Sequence, residues 1–566
     1  MAKVNKFNLI NSIILNNKLF TVTLLSIVMT IMLFVYFPFI NNAGFGPSDD
    51  LTFVSSVLSD KTFNFNIYNS LSAMSGRFQP ISDLVLNIIF SLYKDNPQLY
   101  VITHLIVWVL IVIFISLYIK YFFDSSVGWI FSIHCLFPIF TSASTFSSYM
   151  VANYDLPVLF WAISIYLLTK YLFNNKFIYY LFSYFFVFIG LFSSPIILPL
   201  LLLNSLTPFI LYKKPVNNVS IYYCQLIAKY ILPIFFISII YLFMKISSIN
   251  YGENQYIYGV SGMNLRGILQ SLYYFYSILF EPPLLLLMSM NKIFIWQIIP
   301  IGILVIVFYY IIFCYKISNS SVIKFNKYFL FIILISLVGC LIIFIISGYP
   351  AVTFGHYNKM MLPSYLLYCI ILSYLFNKYL INRYIIFPVI ISLLWITSFV
   401  VQLENFTDSW QIRKKIFTDC IIKLEKINLG NDPQLIANVP FFSQRNFNNE
   451  HVFWLSWDFF SGVKLFGSEK LLSAFPFCWQ TLVNPDYYPN HNINHHLTEL
   501  SVNANLWYYE YNIANNNSTL IKLDDRTHLE EQFQRIIKNR INYHPIILRQ
   551  KIRMKLKDWV IKRVSL

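Results

Sequence analysis

Residues 19–50, LFTVTLLSIVMTIMLFVYFPFINNAGFGPSDD, decide the class of this protein. From Leu19 to Ile40 no residue is charged. At about 1.5 Å per residue such a run covers the roughly 30 Å hydrocarbon core of a bilayer. It carries no small-residue cleavage site, so it reads as a first membrane span rather than a removable signal peptide. Directly after it, Gly44-Phe45-Gly46-Pro47-Ser48 forms a turn that delivers two adjacent carboxylates, Asp49 and Asp50.

Composition extends that reading to the whole chain. Of 566 residues, 57% are hydrophobic, 19% aromatic and only 12% charged, with a mean hydropathy of +0.60. Soluble domains carry about 25% charged residues. A soluble enzyme, a disordered chain and a disulfide scaffold are therefore excluded, and an all-α polytopic membrane protein is predicted. Apolar blocks centred near residues 30, 110, 137, 165, 184, 203, 236, 303, 338, 370 and 393 predict about eleven spans. Residues 266–290, interrupted by Glu281-Pro282-Pro283, read as an amphipathic surface helix.

Charge sets the expected orientation. With the N-terminus cytoplasmic, Lys120, Lys170, Lys176, Lys213, Lys214, Lys316, Lys378 and Arg383 fall on cytoplasmic segments, as the positive-inside tendency requires. The net charge of +16 is thereby assigned to the membrane and not to nucleic acid. Acids before residue 402 partition the other way. Asp49, Asp50, Asp60, Asp83, Asp95, Asp155, Glu253 and Glu281 fall outside, and Asp124 alone falls inside. The exterior face is thus the expected seat of chemistry.

Two regions follow: a transmembrane domain over 1–401, with a large first exterior loop at 41–98, and a polar, Asn-rich exterior domain over 402–566. Gln434–Phe442 and Thr519–Leu523 read as strands and Leu529–Lys538 as a helix, predicting a small mixed α/β fold. Cys420 and Cys478 are the cysteines of that region and, outside the cytoplasm, are candidates to pair. No CxxC or Cys/His zinc spacing occurs, so no metal site is predicted.

Candidate chemistry collects on the exterior segments. One of Asp49 and Asp50 can act as a general base on an acceptor hydroxyl, while the other orients it or helps hold a divalent cation such as Mg or Mn. The competing reading makes the same stretch a helix start, with Ser48 as cap and the acids favouring its positive end. Arg77, framed by Gly76 and Pro80, offers a guanidinium fork for phosphate, or else a snorkelling anchor. Asp155 sits at the mouth of the fourth expected span, and His356 and Lys359 precede the tenth. Trp454 and Trp457 can stack on sugar rings, or pack as core. His491, His495 and His496 read as loop. Walker A and GxGxxG patterns are absent, which disfavours a nucleotide-driven pump.

This arrangement resembles the C-type (GT-C) integral membrane glycosyltransferases. The residues that carry the resemblance are Asp49-Asp50 after the first span, Gly76-Arg77-Phe78 and, more loosely, Asp155 and His356–Lys359. The Gly76-Arg77-Phe78 stretch is most similar to bacterial O-antigen and surface-polysaccharide members. The WWD-type motif of oligosaccharyltransferases is missing, which argues against a protein acceptor. The resemblance implies an inverting transferase in the bacterial cytoplasmic (inner) membrane. It would take its sugar from a polyprenyl-phosphate donor and pass it to a surface glycan or glycolipid. Asp49 or Asp50 would serve as base, Arg77, His356 and Lys359 would face the donor phosphate, and Asp155, Trp454 and Trp457 would support the acceptor. A lipid-linked glycan flippase or transporter, and a polysaccharide polymerase or ligase, are the alternatives.

Overall fold

The computed structural model describes residues 17–46, 50–51, 54, 78–139, 151–211, 219–249, 295–318, 327–347, 361–381, 383–430, 433–439, 452–453, 456–468, 471, 479–482, 505–512 and 515–523. The chain divides into two compact units, Met1–Gln411 and Ile412–Leu566. The composition shift near Gln402 precedes that division because one helix runs through both positions.

In the first unit, α1 is Asn17–Asn41, α2 Pro80–Tyr93, α3 Pro97–Ile119 and α4 Ser125–Cys135. A π-helical turn, Val151–Asp155, leads into α5 (Leu156–Asn174), followed by α6 (Phe177–Ser193) and, after a 3-10 turn at Pro195–Leu200, α7 (Leu201–Leu211). Next, α8 (Val219–Leu226) continues through a π-helical turn, Ile227–Ile231, into α9 (Leu232–Ile249). The remaining helices are α10 (Ile295–Ser318), α11 (Lys327–Ser347), α12 (Leu362–Leu375) and α13 (Ile386–Glu425).

Among the described residues, six helices are long and apolar enough to cross a membrane: Leu19–Asn41, Pro97–Ile119, Val151–Asn174, Ser220–Ser247, Ile298–Lys316 and Ile386–Glu425. The expected spans near 137, 184 and 203 fall on shorter helices, with α4 at 11 residues, α6 at 17 and α7 at 11. Prolines explain two of these stops. Pro195 and Pro199 tighten the chain between α6 and α7, and Pro138 cannot continue α4.

The end of α4 shows how such a stop is tolerated in an apolar interior. Carbonyls at a helix C-terminus lack intrahelical donors, and no water replaces them inside a bilayer. Here side chains do. Trp108 Nε1 donates to the Cys135 carbonyl at 2.8 Å, the Tyr36 hydroxyl to Leu136 at 2.6 Å, and Gln402 Nε2 to Ile139 at 3.2 Å. Trp395 Nε1 lies 3.0 Å from the His134 carbonyl and 2.9 Å from that of Phe137, and the Tyr365 hydroxyl donates to His134. A short helix is thus pinned in the bundle by donors from α1, α3, α12 and α13.

The second unit carries a four-stranded sheet of β1 (Pro433–Asn438), β2 (Trp479–Leu482), β3 (Asn505–Asn512) and β4 (Asn517–Leu523), with α14 (Ser456–Phe466) between β1 and β2. The strand order is β2-β1-β3-β4. β1 pairs in parallel with β2, Ile436 facing Gln480, and with β3, Leu435 facing Trp507. β3 and β4 pair antiparallel, Tyr509 facing Leu520. Parallel neighbours need a crossover, which α14 supplies for β1 and β2. Gly462 permits that packing, because a Cβ there would lie 2.1 Å from Cζ of Phe417.

Two expected strands coincide with β1 and β4, so the mixed α/β reading of this region matches the described elements. β3, with buried Leu506, Trp507, Tyr508 and Tyr509, was not anticipated. Residues 529–538 lie outside the described residues. Cys420 is buried, and its candidate partner Cys478 lies outside the described residues.

Candidate functional site

The segment after α1 begins as an ordered anchor. Past α1, the Ala43 amide donates to the Ile40 carbonyl at 3.2 Å, closing the helix. Gly44 then passes against Trp410, where a Cβ would lie 1.9 Å from its Cγ. Only a residue without a side chain fits so close an approach. Phe45 follows, fully buried, its ring edge-on to Trp410 at 5.7 Å and to Tyr100 at 5.9 Å.

This anchor holds Asp50. Its Oδ2 accepts a hydrogen bond from the Gly46 amide at 2.6 Å, and the residue is 0% exposed. A carboxylate gripped by a backbone amide four residues earlier closes a loop; Ser48, the expected cap, lies outside the described residues. Asp50 is also within electrostatic reach of the Tyr100 phenol. The expectation that an exterior loop leaves its acids exposed is therefore corrected for Asp50. The aromatic anchor pulls it inward.

Tyr100 begins a row along α3 in which every fourth residue faces the same way. The row continues with His104 and Trp108, all three buried. His104 Nδ1 sits 2.6 Å from Oδ2 of Asp155, with both side chains almost wholly enclosed. The imidazole stacks on Trp108 at 5.8 Å. Among the described residues, His104 Nε2 and Asp155 Oδ1 have no hydrogen-bond partner. The local reason for the position of Asp155 lies in Pro157, which has no N–H for the carbonyl of Asn153 and so favours the π-helical turn over regular helix.

The far end of the same segment returns to this place. Phe78 is buried against Phe192 at 5.9 Å and Tyr241 at 6.0 Å, and the Tyr241 hydroxyl donates to its carbonyl at 3.3 Å. Ser82, in the first turn of α2, lies 2.7 Å from both the Ala152 and the Ser193 carbonyl. The backbone immediately after Arg77 is thereby fixed beside the turn that carries Asp155.

Of the site residues named from the sequence, Asp50 and Asp155 are described. They are held by different means: Asp50 by the Gly46 amide just after α1, and Asp155 by His104 of α3. Asp49, Arg77, His356, Lys359 and Trp454 lie outside the described residues, as does the side chain of Trp457, whose backbone is in α14. In the sequence His104 stands out only as an ionisable residue inside an apolar block. That oddity was the signal available, since its partner lies 51 positions away.

Among the described residues no group of three His, Cys, Asp or Glu side chains is placed to hold a metal ion. Asp50 alone of the acid pair is described, and it is engaged by the Gly46 amide, so no step below is routed through a cation. In comparisons with known proteins, no family model, curated protein or solved structure matches this chain.

Proposed function

We propose that the protein is an inverting glycosyltransferase of about eleven spans, N-terminus cytoplasmic, in a bacterial cytoplasmic membrane. The donor is a sugar on polyprenyl phosphate, and the acceptor is a surface glycan or glycolipid on the exterior side. The acceptor oxygen attacks the anomeric carbon, and the bond from that carbon to the phosphate oxygen breaks. The lipid phosphate departs with the electron pair, and the acceptor proton passes to a carboxylate. Asp49 or Asp50 fills the role of base. Arg77, His356 and Lys359 are the cations proposed to meet the charge that grows on the phosphate.

One observation carries this reading: two carboxylates, Asp50 and Asp155, are buried, Asp50 on the Gly46 amide and Asp155 against His104. Buried carboxylates are costly to maintain, and their presence marks candidate sites of chemistry.

A second reading rests on the same pair. Ionisable residues inside apolar helices also mark transport pathways, so a lipid-linked glycan flippase is the alternative. The test compares cells carrying wild type, Asp50→Asn or Asp155→Asn. The transferase reading expects loss of one sugar from the surface glycan and a rise in its polyprenyl-phosphate form. Unchanged glycan composition in both variants would overturn it, while loss of the whole glycan chain would favour the flippase.

A further inference from the structure

A second cluster lies at the α5–α6 turn, on the side that the sequence assigns to the cytoplasm. Lys229 is exposed although it lies within the apolar run Ser220–Ser247. Its ammonium sits over the rings of Tyr171 at 4.9 Å and Tyr230 at 5.5 Å. On α5, one residue before Tyr171, Lys170 lies over Tyr179 at 4.6 Å and Tyr166 at 5.8 Å. Lys176 occupies the short turn between the two helices.

The backbone under Lys229 is built to hold this position. Pro233 has no N–H for the Lys229 carbonyl, and the chain widens there into the π-helical turn Ile227–Ile231. Tyrosines of α6 supply the missing donors. The Tyr180 hydroxyl donates to the Lys229 carbonyl at 2.7 Å, and that of Tyr184 to the Tyr230 carbonyl at 3.1 Å. Tyr180 in turn packs on Tyr171 at 5.3 Å and Tyr230 at 6.3 Å. A lysine that merely reached for water would need none of this scaffolding.

We infer that Lys229, caged by Tyr171 and Tyr230, forms a binding site for the phosphate group of an anionic membrane lipid. A lysine between aromatic rings at a membrane interface presents a fixed positive charge, and aromatic side chains favour the headgroup level. Basic residues near a membrane surface attract anionic lipids. The inference rests on the membrane reading of the apolar helices and not on the transferase chemistry, so the two fail separately.

The phosphate can belong to a phospholipid or to a polyprenyl phosphate, and one titration distinguishes them. Full-length protein in detergent is titrated with phosphatidylglycerol, phosphatidylcholine or polyprenyl phosphate and read by native mass spectrometry. At least one anionic lipid should bind the wild type, and Lys229→Gln should weaken it about fivefold to tenfold. Phosphatidylcholine should not distinguish the two proteins, and Lys229→Arg should restore binding. Equal affinity of wild type and Lys229→Gln for both anionic lipids would overturn the site. Should the Gln variant not fold, acylation of Lys229 in the wild type gives the same decision. An anionic lipid must slow it more than phosphatidylcholine does.

Discussion

The two buried histidines of the first unit stand in contrast. His134, in α4, has both nitrogens engaged. Nδ1–H donates to the Ile130 carbonyl at 2.8 Å, and Nε2 accepts from Ser392 Oγ at 3.1 Å, which also bonds the Tyr309 hydroxyl at 2.7 Å. His104, in α3, has one nitrogen on Asp155 and, among the described residues, no partner for the other. Equal burial therefore means different things. A closed polar knot specifies packing, whereas a buried pair with open valences carries an unrecovered desolvation cost that packing alone does not explain.

The largest effect that separates the two is catalytic. Asp50→Asn is expected to lower sugar transfer by about 10²- to 10⁴-fold, the range for loss of a proton-transfer group, and Asp155→Asn to lower it through lost support of the acceptor. His134→Gln should leave transfer per folded molecule near wild type. Transfer from labelled polyprenyl-phosphate sugar, normalised to folded protein, checks this. Comparable losses in His134→Gln and Asp155→Asn would erase the distinction.

Stability should rank them in the opposite order. His134→Phe strips Ser392 of a buried partner and should destabilise the unit by about 2–3 kcal/mol. His104→Phe alone removes one bond and one open valence but leaves the buried Asp155 without its partner, a cost of about 3–5 kcal/mol, so the informative comparison clears both residues. His104→Phe with Asp155→Leu clears the whole pair and should be nearly neutral or stabilising in thermal melts, as for other buried ion pairs replaced by apolar groups. A double variant less stable than His134→Phe would show that the pair is structural.

Gly44→Ala probes the anchor between these regions. The added methyl meets Trp410, whose ring must shift along with Phe45. An overpacking cost of about 1–3 kcal/mol is expected, with transfer falling further than stability because Asp50 is carried on the same turn. Full activity in a destabilised Gly44→Ala protein would detach Asp50 from the site.

Particular residues show what the sequence made legible. The long apolar blocks behind α1, α3 and α13 were readable because length and lack of charge leave few alternatives. Their real ends were less so: α4 stops at Cys135, ahead of Pro138, and the stop is tolerated because Trp108, Tyr36, Trp395 and Gln402 converge on the carbonyls at its end. The short helix α2 hid in a loop, since 14 residues fall below the length of a span. β3 was missed although Leu506-Trp507-Tyr508-Tyr509 has strand composition, because burial on both faces removes the alternation that marks an exposed strand. Asp50 and Asp155 were legible as acids in exterior positions. Their burial, and the choice of His104 as partner, depend on packing between segments far apart in the chain.

The smallest expected effect lies in the second unit, where a third polar knot resembles that of His134. The Tyr509 hydroxyl donates to Asp419 Oδ2 at 3.0 Å, and Ser518 Oγ donates to the same oxygen. Lys423 lies 3.7 Å away and also reaches the Ser518 carbonyl at 2.5 Å. Burial, then the neighbouring Cys420 and Asp419, push the Tyr509 phenol well above its usual range, so it remains a donor at neutral pH. Tyr509→Phe keeps the ring stacked on Phe459 at 6.1 Å and removes only that donor. Because Ser518 and Lys423 still satisfy Asp419, the loss should be about 0.5–1.5 kcal/mol, the net worth of one hydrogen bond. Chemical denaturation of the full chain, followed by the tryptophans, measures it. A loss beyond 3 kcal/mol would mean that Ser518 and Lys423 cannot replace the phenol, and that a closed knot is as fragile as an open one.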